Sequence, residues 1–165
     1  MTVDDVASMA GVGKATVYRR WARKEDLAVA AMESLYRNEM PAPDTGSLQG
    51  DLTELLTATF DFANSESGTD YLRMTVKEVM RDSRIAAIYR RANHRYEQLI
   101  RSLFERGRQR GELDRDVDVT SAAEFISSLL ITRTVAGRSV PSTSEVDGLV
   151  EFVLNGLQAS SLARV

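Results

Sequence analysis

Three observations predict an all-α fold. Apolar residues recur at i, i+3, i+4 and i+7 through most of the chain, the stripe of an amphipathic helix. No segment keeps up the alternation of a half-buried strand, and no Asn-Gly hairpin signal occurs. The periodic segments stop at glycines and prolines, where helices end.

The elements follow in order. Val3, Val6, Ala7 and Ala10 form one apolar face, with Thr2 as N-cap, Asp5 three residues on and Gly11 as the left-handed residue that closes the helix. A second short helix runs from near Gly13 to about Trp21, with Val17 and Trp21 one turn apart. Arg23-Lys24-Glu25-Asp26 opens a third, its apolar side built from Leu27, Ala31 and Leu35. The run Met40-Pro41-Ala42-Pro43-Asp44-Thr45-Gly46 breaks helix and separates a domain at 1–40 from a second at 46–165. Beyond it, Leu48, Leu52, Leu55, Leu56, Thr59 and Ala63 mark a helix that ends before Ser65. Leu72, Thr75, Val76 and Val79 mark the next. Ile85, Ile88, Ala92, Tyr96, Leu99 and Leu103 mark a long one that Gly111 stops. Asp118 or Thr120 caps a helix carrying Phe125, Ile126, Leu129 and Leu130. Ser142 with Glu145 forms a capping box before the last, with Val146, Leu149, Val150, Val153 and Leu157 inward.

Composition bounds the function. The chain has 165 residues, 43% of them hydrophobic, which suffices for a real core and excludes global disorder. Zero Cys excludes a disulfide scaffold, a thiolate metal site and a cysteine nucleophile. One His leaves no zinc set, and Asp114, Asp116 and Asp118 lack the glycine and distal Glu of a calcium loop, so no metal is expected. There is no phosphate-binding glycine loop and no G-x-S-x-G. No cofactor and no enzyme activity are therefore expected. No apolar run reaches a membrane span, and Met1-Thr2-Val3-Asp4-Asp5 does not read as a secretory segment, so a soluble cytoplasmic protein is expected.

Net charge is −3, which by itself signals no nucleic acid. The distribution is more telling. Lys14, Arg19, Arg20, Arg23 and Lys24 fall within eleven residues that hold no acid, while residues 81–110 carry nine Arg against three acids. Two short helices around a glycine, the second one basic, form a helix-turn-helix arrangement whose second helix enters a major groove. Basic runs are also common on solvated faces, so the generic pattern leaves DNA binding and a plain helical pair about equally open.

The detailed string from Thr2 to Leu27 closely resembles the DNA-binding signature of the TetR family of bacterial transcriptional regulators, T-x-x-x-I-A-x-x-A-G-V-S-x-x-T-x-Y-x-x-F-x-x-K-x-x-L. Here Val6 replaces the Ile, Trp21 the Phe and Gly13 the capping Ser. The resemblance implies a helix-turn-helix module joined to a helical ligand-binding and dimerisation domain, and Arg110-Gly111-Glu112-Leu113 followed by Asp118 resembles a stretch of that second domain. It implies that Lys14 and Ala15 face bases and that Thr16, Tyr18 and Lys24 bind phosphates, with Arg19 and Arg20 as further contacts. Val6, Ala7, Ala10, Val12, Val17, Trp21 and Leu27 would form the small core. The family also carries a helix before the position of Thr2. The module therefore reads as lacking its first helix, through a late-placed start codon or a short natural variant, the former being favoured.

The family's other features give further expectations. The last two helices would pair with a second copy through Leu129, Leu130, Leu149, Phe152, Val153, Gly156 and Leu157, half of which could instead face their own core. A pocket for a small-molecule effector would be lined by Phe60, Phe62, Tyr71, Met74, Tyr89, Tyr96 and Arg133. The expected function is a ligand-responsive regulator, most often a repressor, that binds a near-palindromic operator in double-stranded DNA as a homodimer. The alternative is a helical dimer that binds a small molecule or a partner but no DNA.

Overall fold

The computed structural model describes residues 3–23, 26, 27, 30 and 42–162, and the chain divides into two compact units, 1–39 and 40–165. Among the described residues every regular element is helical.

In the first unit, α1 spans Val3–Met9 and α2 spans Lys14–Arg20. Gly11 sits at φ +64°, as its role as helix stop requires. Around it Gly11 N–H donates to Ser8 O (3.1 Å) and Val12 N–H to Ala7 O (3.0 Å), the paired bonds of a Schellman ending. Val3, Ala7 and Val17 are buried together, with Trp21 and Leu27 packed partly against them. Two expected core residues lie elsewhere: Ala10 and Val12 belong to the turn and are exposed, Val12 by 41%. The caps proposed for Thr2 and most of the third helix, including Ala31 and Leu35, lie outside the described residues.

The second unit holds α3 (Leu48–Asn64), α4 (Glu66–Glu78), α5 (Ser83–Gln109), α6 (Val119–Val135) and α7 (Val146–Leu162), with a short 3-10 turn at Thr143–Glu145. Their starts are set by side chains that occupy free backbone N–H groups. Ser47 accepts from Gly50 N–H, Ser65 from Gly68 N–H, Asp82 from Arg84 N–H, and Asp118 from Thr120 and Ser121 N–H. Glu145 accepts from Ser142 N–H at 2.8 Å, closing the box before α7. The core runs between α3, α5, α6 and α7. It includes Leu52, Leu55, Phe60, Ile100, Leu103, Phe104, Ala123, Ile126, Val146 and Val150. Gly107 permits a close approach of α5 to α3, since a Cβ there would lie 2.9 Å from Leu48 Cδ2.

One polar cluster holds the entry to this unit. Asp51, 0% exposed, falls on the inner side of α3. Its Oδ1 accepts from Thr45 N–H (2.7 Å) and Thr45 Oγ1 (2.9 Å), and its Oδ2 from Arg106 and Arg110 (3.2 Å each). Arg106 also donates to Pro43 O, and Arg110 to Glu112, whose other oxygen accepts from Leu48 N–H at 2.5 Å. Burial alone pushes the Asp51 carboxyl up, but the Thr45 and Arg donors outweigh it and hold it below the ordinary range. The Arg110-Gly111-Glu112-Leu113 stretch thus has a physical reading. Gly111 at φ +79° ends α5, Glu112 caps α3, Leu113 is buried, and Asp118 then starts α6.

Candidate nucleic-acid interface

Helix α2 turns Val17 inward and leaves Lys14, Ala15, Thr16, Tyr18, Arg19 and Arg20 exposed. With Val17 fixed against Val3 and Ala7, residues one and two places away turn outward, and Lys14 and Arg20, at the two ends of the short helix, are exposed as well. Six of the seven expected DNA-contacting residues therefore share one solvent-facing surface. The seventh, Lys24, lies outside the described residues.

The surface is partly pre-organised. Lys14 Nζ pairs with Asp4 on α1 at 2.8 Å and lies 6.0 Å from the centre of the Tyr18 ring. The Asp4 hydrogen bond and charge raise the ammonium pKa. The Arg20 guanidinium stacks over Trp21, 5.0 Å from the ring centre, which presents it at the end of α2. The basic run is consequently less positive than its composition implies, because Asp4 reaches it across the turn. Gly13 caps α2 without a side-chain bond, which leaves N–H groups at its first turn open to an acceptor.

The expected effector-site residues fall into two groups. Phe62, Tyr71, Met74 and Tyr89 lie on α3, α4 and α5 and are half-buried or partly exposed, with the Phe62 and Tyr71 rings 6.1 Å apart. Burial pushes the Tyr71 phenol up to about 12, and the Tyr89 phenol is raised by burial and then by the charge of Glu97. The other three are occupied. Phe60 is fully buried in the core, Tyr96 shares a 2.9 Å hydrogen bond with Thr59, and Arg133 donates to Ser139 O after α6. A cleft of about 220 Å³ lies apart from these, at Gly111, Glu112, Leu113, Asp114 and Val117.

The expected pairing residues also divide. Val153 is buried in its own core, and Leu129, Leu130, Leu149 and Leu157 pack partly against it. Phe152 is 65% exposed and Gly156 lies on the same outer side of α7. Phe125, one of the apolar residues that mark α6 in the sequence, is absent from the expected pairing set, yet it is 51% exposed and its ring lies 6.4 Å from that of Phe152 at a tilt. Its signal was faint, since apolar residues ring α6 on all sides.

Comparison with known proteins follows this division of the chain. Residues 1–31 match the model for bacterial regulatory proteins of the tetR family, and residues 42–153 match the tetracyclin repressor-like C-terminal domain. The chain belongs to the TetR family. It is 30% identical over 162 residues to the uncharacterized HTH-type transcriptional regulator YdeS of Bacillus subtilis (strain 168), covering 98% of this chain and 81% of YdeS. It is 34% identical over 154 residues to the HTH-type transcriptional regulator AqdR of Rhodococcus erythropolis, covering 92% and 73%. Its fold is shared with the transcriptional regulator FadR of Bacillus subtilis, solved in complex with stearoyl-CoA, at a TM-score of 0.63 and 17% identity over 94% of this chain and 88% of that one. The TetR chain is thus a helix-turn-helix transcription regulator, and its relatives are regulators rather than enzymes. Among the described residues no helix is long and apolar enough to cross a membrane.

Proposed function

We propose that this TetR-family chain is an effector-responsive repressor that binds a near-palindromic operator as a cytoplasmic homodimer. Residues 1–40 read DNA and residues 46–165 pair and sense. The observation that carries the reading is the outward face of α2, with Lys14, Ala15, Thr16, Tyr18, Arg19 and Arg20 exposed around the single buried Val17. Lys14 and Ala15, at its start, face base edges. Thr16, Tyr18 and Lys24 take phosphates, and Arg19 and Arg20 add base or backbone contacts.

Pairing is supported by α6 and α7. Their outer sides hold the Phe125–Phe152 pair and Val135, which is 66% exposed. Gly148 and Gly156 lie one turn either side of Phe152, with open space where a Cβ would stand, so a second helix can approach closely. Two copies place two α2 helices in successive major grooves, about 34–36 Å or a multiple apart. A small molecule among α3, α4 and α5 then favours a conformation in which that spacing is wrong. FadR, solved with stearoyl-CoA, supports ligand binding by a fold of this kind.

The test is fluorescence anisotropy with duplexes tiling the DNA around the protein's own coding region, across a salt series. One duplex bound about a thousandfold tighter than the rest, with a steep salt dependence, supports the reading. Equal weak binding of every duplex overturns it and leaves a helical ligand-binding dimer.

A further inference from the structure

We propose that the effector of the second unit is an organic cation, an amine on an apolar or aromatic body, and that Glu97 is its counter-ion. The inference rests on the effector-binding reading above and names the chemistry of that site.

Helix α5 carries Tyr89, Asn93 and Glu97 at i, i+4 and i+8, on one side. That side meets α6, where Ser127 is 8% exposed, and α4, which supplies Tyr71. Asn93 Nδ2 donates to Glu97 Oε1 at 2.6 Å and Ser127 Oγ to the same oxygen at 3.3 Å. Both neutral donors therefore hold one oxygen. Among the described residues no hydrogen bond reaches the other, and no Lys, Arg or His nitrogen lies within 4.0 Å of the carboxylate. Arg101 stands one turn further along α5, its Nε buried without a hydrogen-bond partner and not joined to Glu97. Tyr89 stands two turns before Glu97 on the same side of α5, and α4, which carries Tyr71, packs on α5. The Tyr89 phenol is raised first by burial and then by the charge of Glu97.

A carboxylate partly withdrawn from water, with neutral donors only, is costly to the fold. The same arrangement suits a cation. The free oxygen supplies the opposite charge, Asn93 and Ser127 fix the carboxylate in place, and the faces of Tyr71 and Tyr89 attract an ammonium group and cover an apolar body. A carboxylate or phosphate ligand would meet like charge at this point.

The test is calorimetric titration of the full chain with three probes of similar body and different head: phenethylamine, phenethyl alcohol and hydrocinnamate. The amine is expected to bind about tenfold or more tighter than the other two. Glu97→Gln, which keeps the shape and an acceptor for Asn93 and Ser127, should erase that preference by lowering amine affinity to that of the alcohol. Glu97→Asp should keep it. Melting curves of both variants establish that they fold, and if Glu97→Gln does not fold, the preference of the unmodified chain decides. Equal binding of the three probes overturns the charge assignment and leaves the pocket standing. Binding of none of them overturns the pocket reading, and the inference with it.

Discussion

Replacing Asp51 with Asn is the sharpest probe of what holds the second unit together. The substitution keeps the shape and removes the charge. Thr45 keeps its acceptor, but Arg106 and Arg110 lose the carboxylate oxygen they share at 3.2 Å, and an amide N–H₂ then faces both guanidiniums. Breaking a buried pair by neutralising one partner costs about 3–5 kcal/mol. The two arginines are 30% and 28% exposed and recover some hydration, so about 2–4 kcal/mol is expected here. With a urea slope near 2 kcal/mol per M, the midpoint falls by about 1–2 M. Far-UV circular dichroism follows this unit's helices, while the single Trp21 reports on the first unit. The pH dependence has a definite sign. Asp51 and Glu112 are both held below their ordinary values, so they bind fewer protons folded than unfolded. Their stabilisation is complete above about pH 4.5 and is lost as pH falls through the lowered values. Asp51→Asn should therefore flatten the acid limb of stability as well as lower the plateau. A variant within 0.5 kcal/mol of the parent at pH 7, with an unchanged acid limb, would refute the reasoning from burial and geometry.

Other substitutions test the remaining features. Arg20→Gln should weaken binding to all duplexes alike and reduce the slope of log affinity against log salt by about 1, the signature of one lost phosphate contact, measured by anisotropy. Asp4→Asn frees Lys14 from its 2.8 Å pair and should tighten non-specific DNA binding at low salt in the same assay, an effect that salt removes. Phe152→Glu places a charge on the outer side of α7 and should lower the sedimentation coefficient of the proposed dimer to that of a monomer, with no loss of helix by circular dichroism. Gly68→Ala puts a Cβ 1.8 Å from Phe62 O, a backbone atom, and should cost about 3 kcal/mol in urea unfolding because the α3–α4 corner must open.

Helix limits were legible because short-range chemistry sets them. Asp118 and the Ser142–Glu145 box satisfy backbone donors two or three residues on, and Gly11 and Gly111 each supply the positive φ that ends a helix. Ser47, Ser65 and Asp82 cap by the same chemistry but were not singled out in the sequence. The outward face of α2 was equally legible, since one buried valine fixes the rotation of a seven-residue helix. What escaped depends on partners distant in sequence. Asp51 lies three residues after Leu48, on the stripe that points into the core, yet its partners are 55 and 59 residues away. Phe125 adjoins Ile126 on a helix that is apolar on all sides, so no periodicity could say which of the two faced out. Lys14 read as unopposed positive charge because Asp4, ten residues earlier, reaches it only once α1 and α2 have folded together.

Asp51 and Glu97 show how burial alone fails to tell a structural carboxylate from a sensing one. Both lie on the inner side of a helix, and both accept hydrogen bonds from neutral side chains. At Asp51 the fold completes the set: a backbone N–H, a hydroxyl and two guanidiniums match two oxygens, so the charge is neutralised by the chain itself and removing it must destabilise. At Glu97 only Asn93 and Ser127 contribute, both to one oxygen, and the counter-charge is missing among the described residues. A sequence under selection for stability alone would place an apolar residue there, as core exchanges of buried charge for hydrophobic side chains are often neutral or stabilising. Glu97→Leu should accordingly raise the urea midpoint of the empty protein, where Asp51→Asn lowers it, and abolish its preference for an amine. Opposite signs at two inward-facing carboxylates would separate the residue that holds the unit together from the one that waits for a ligand.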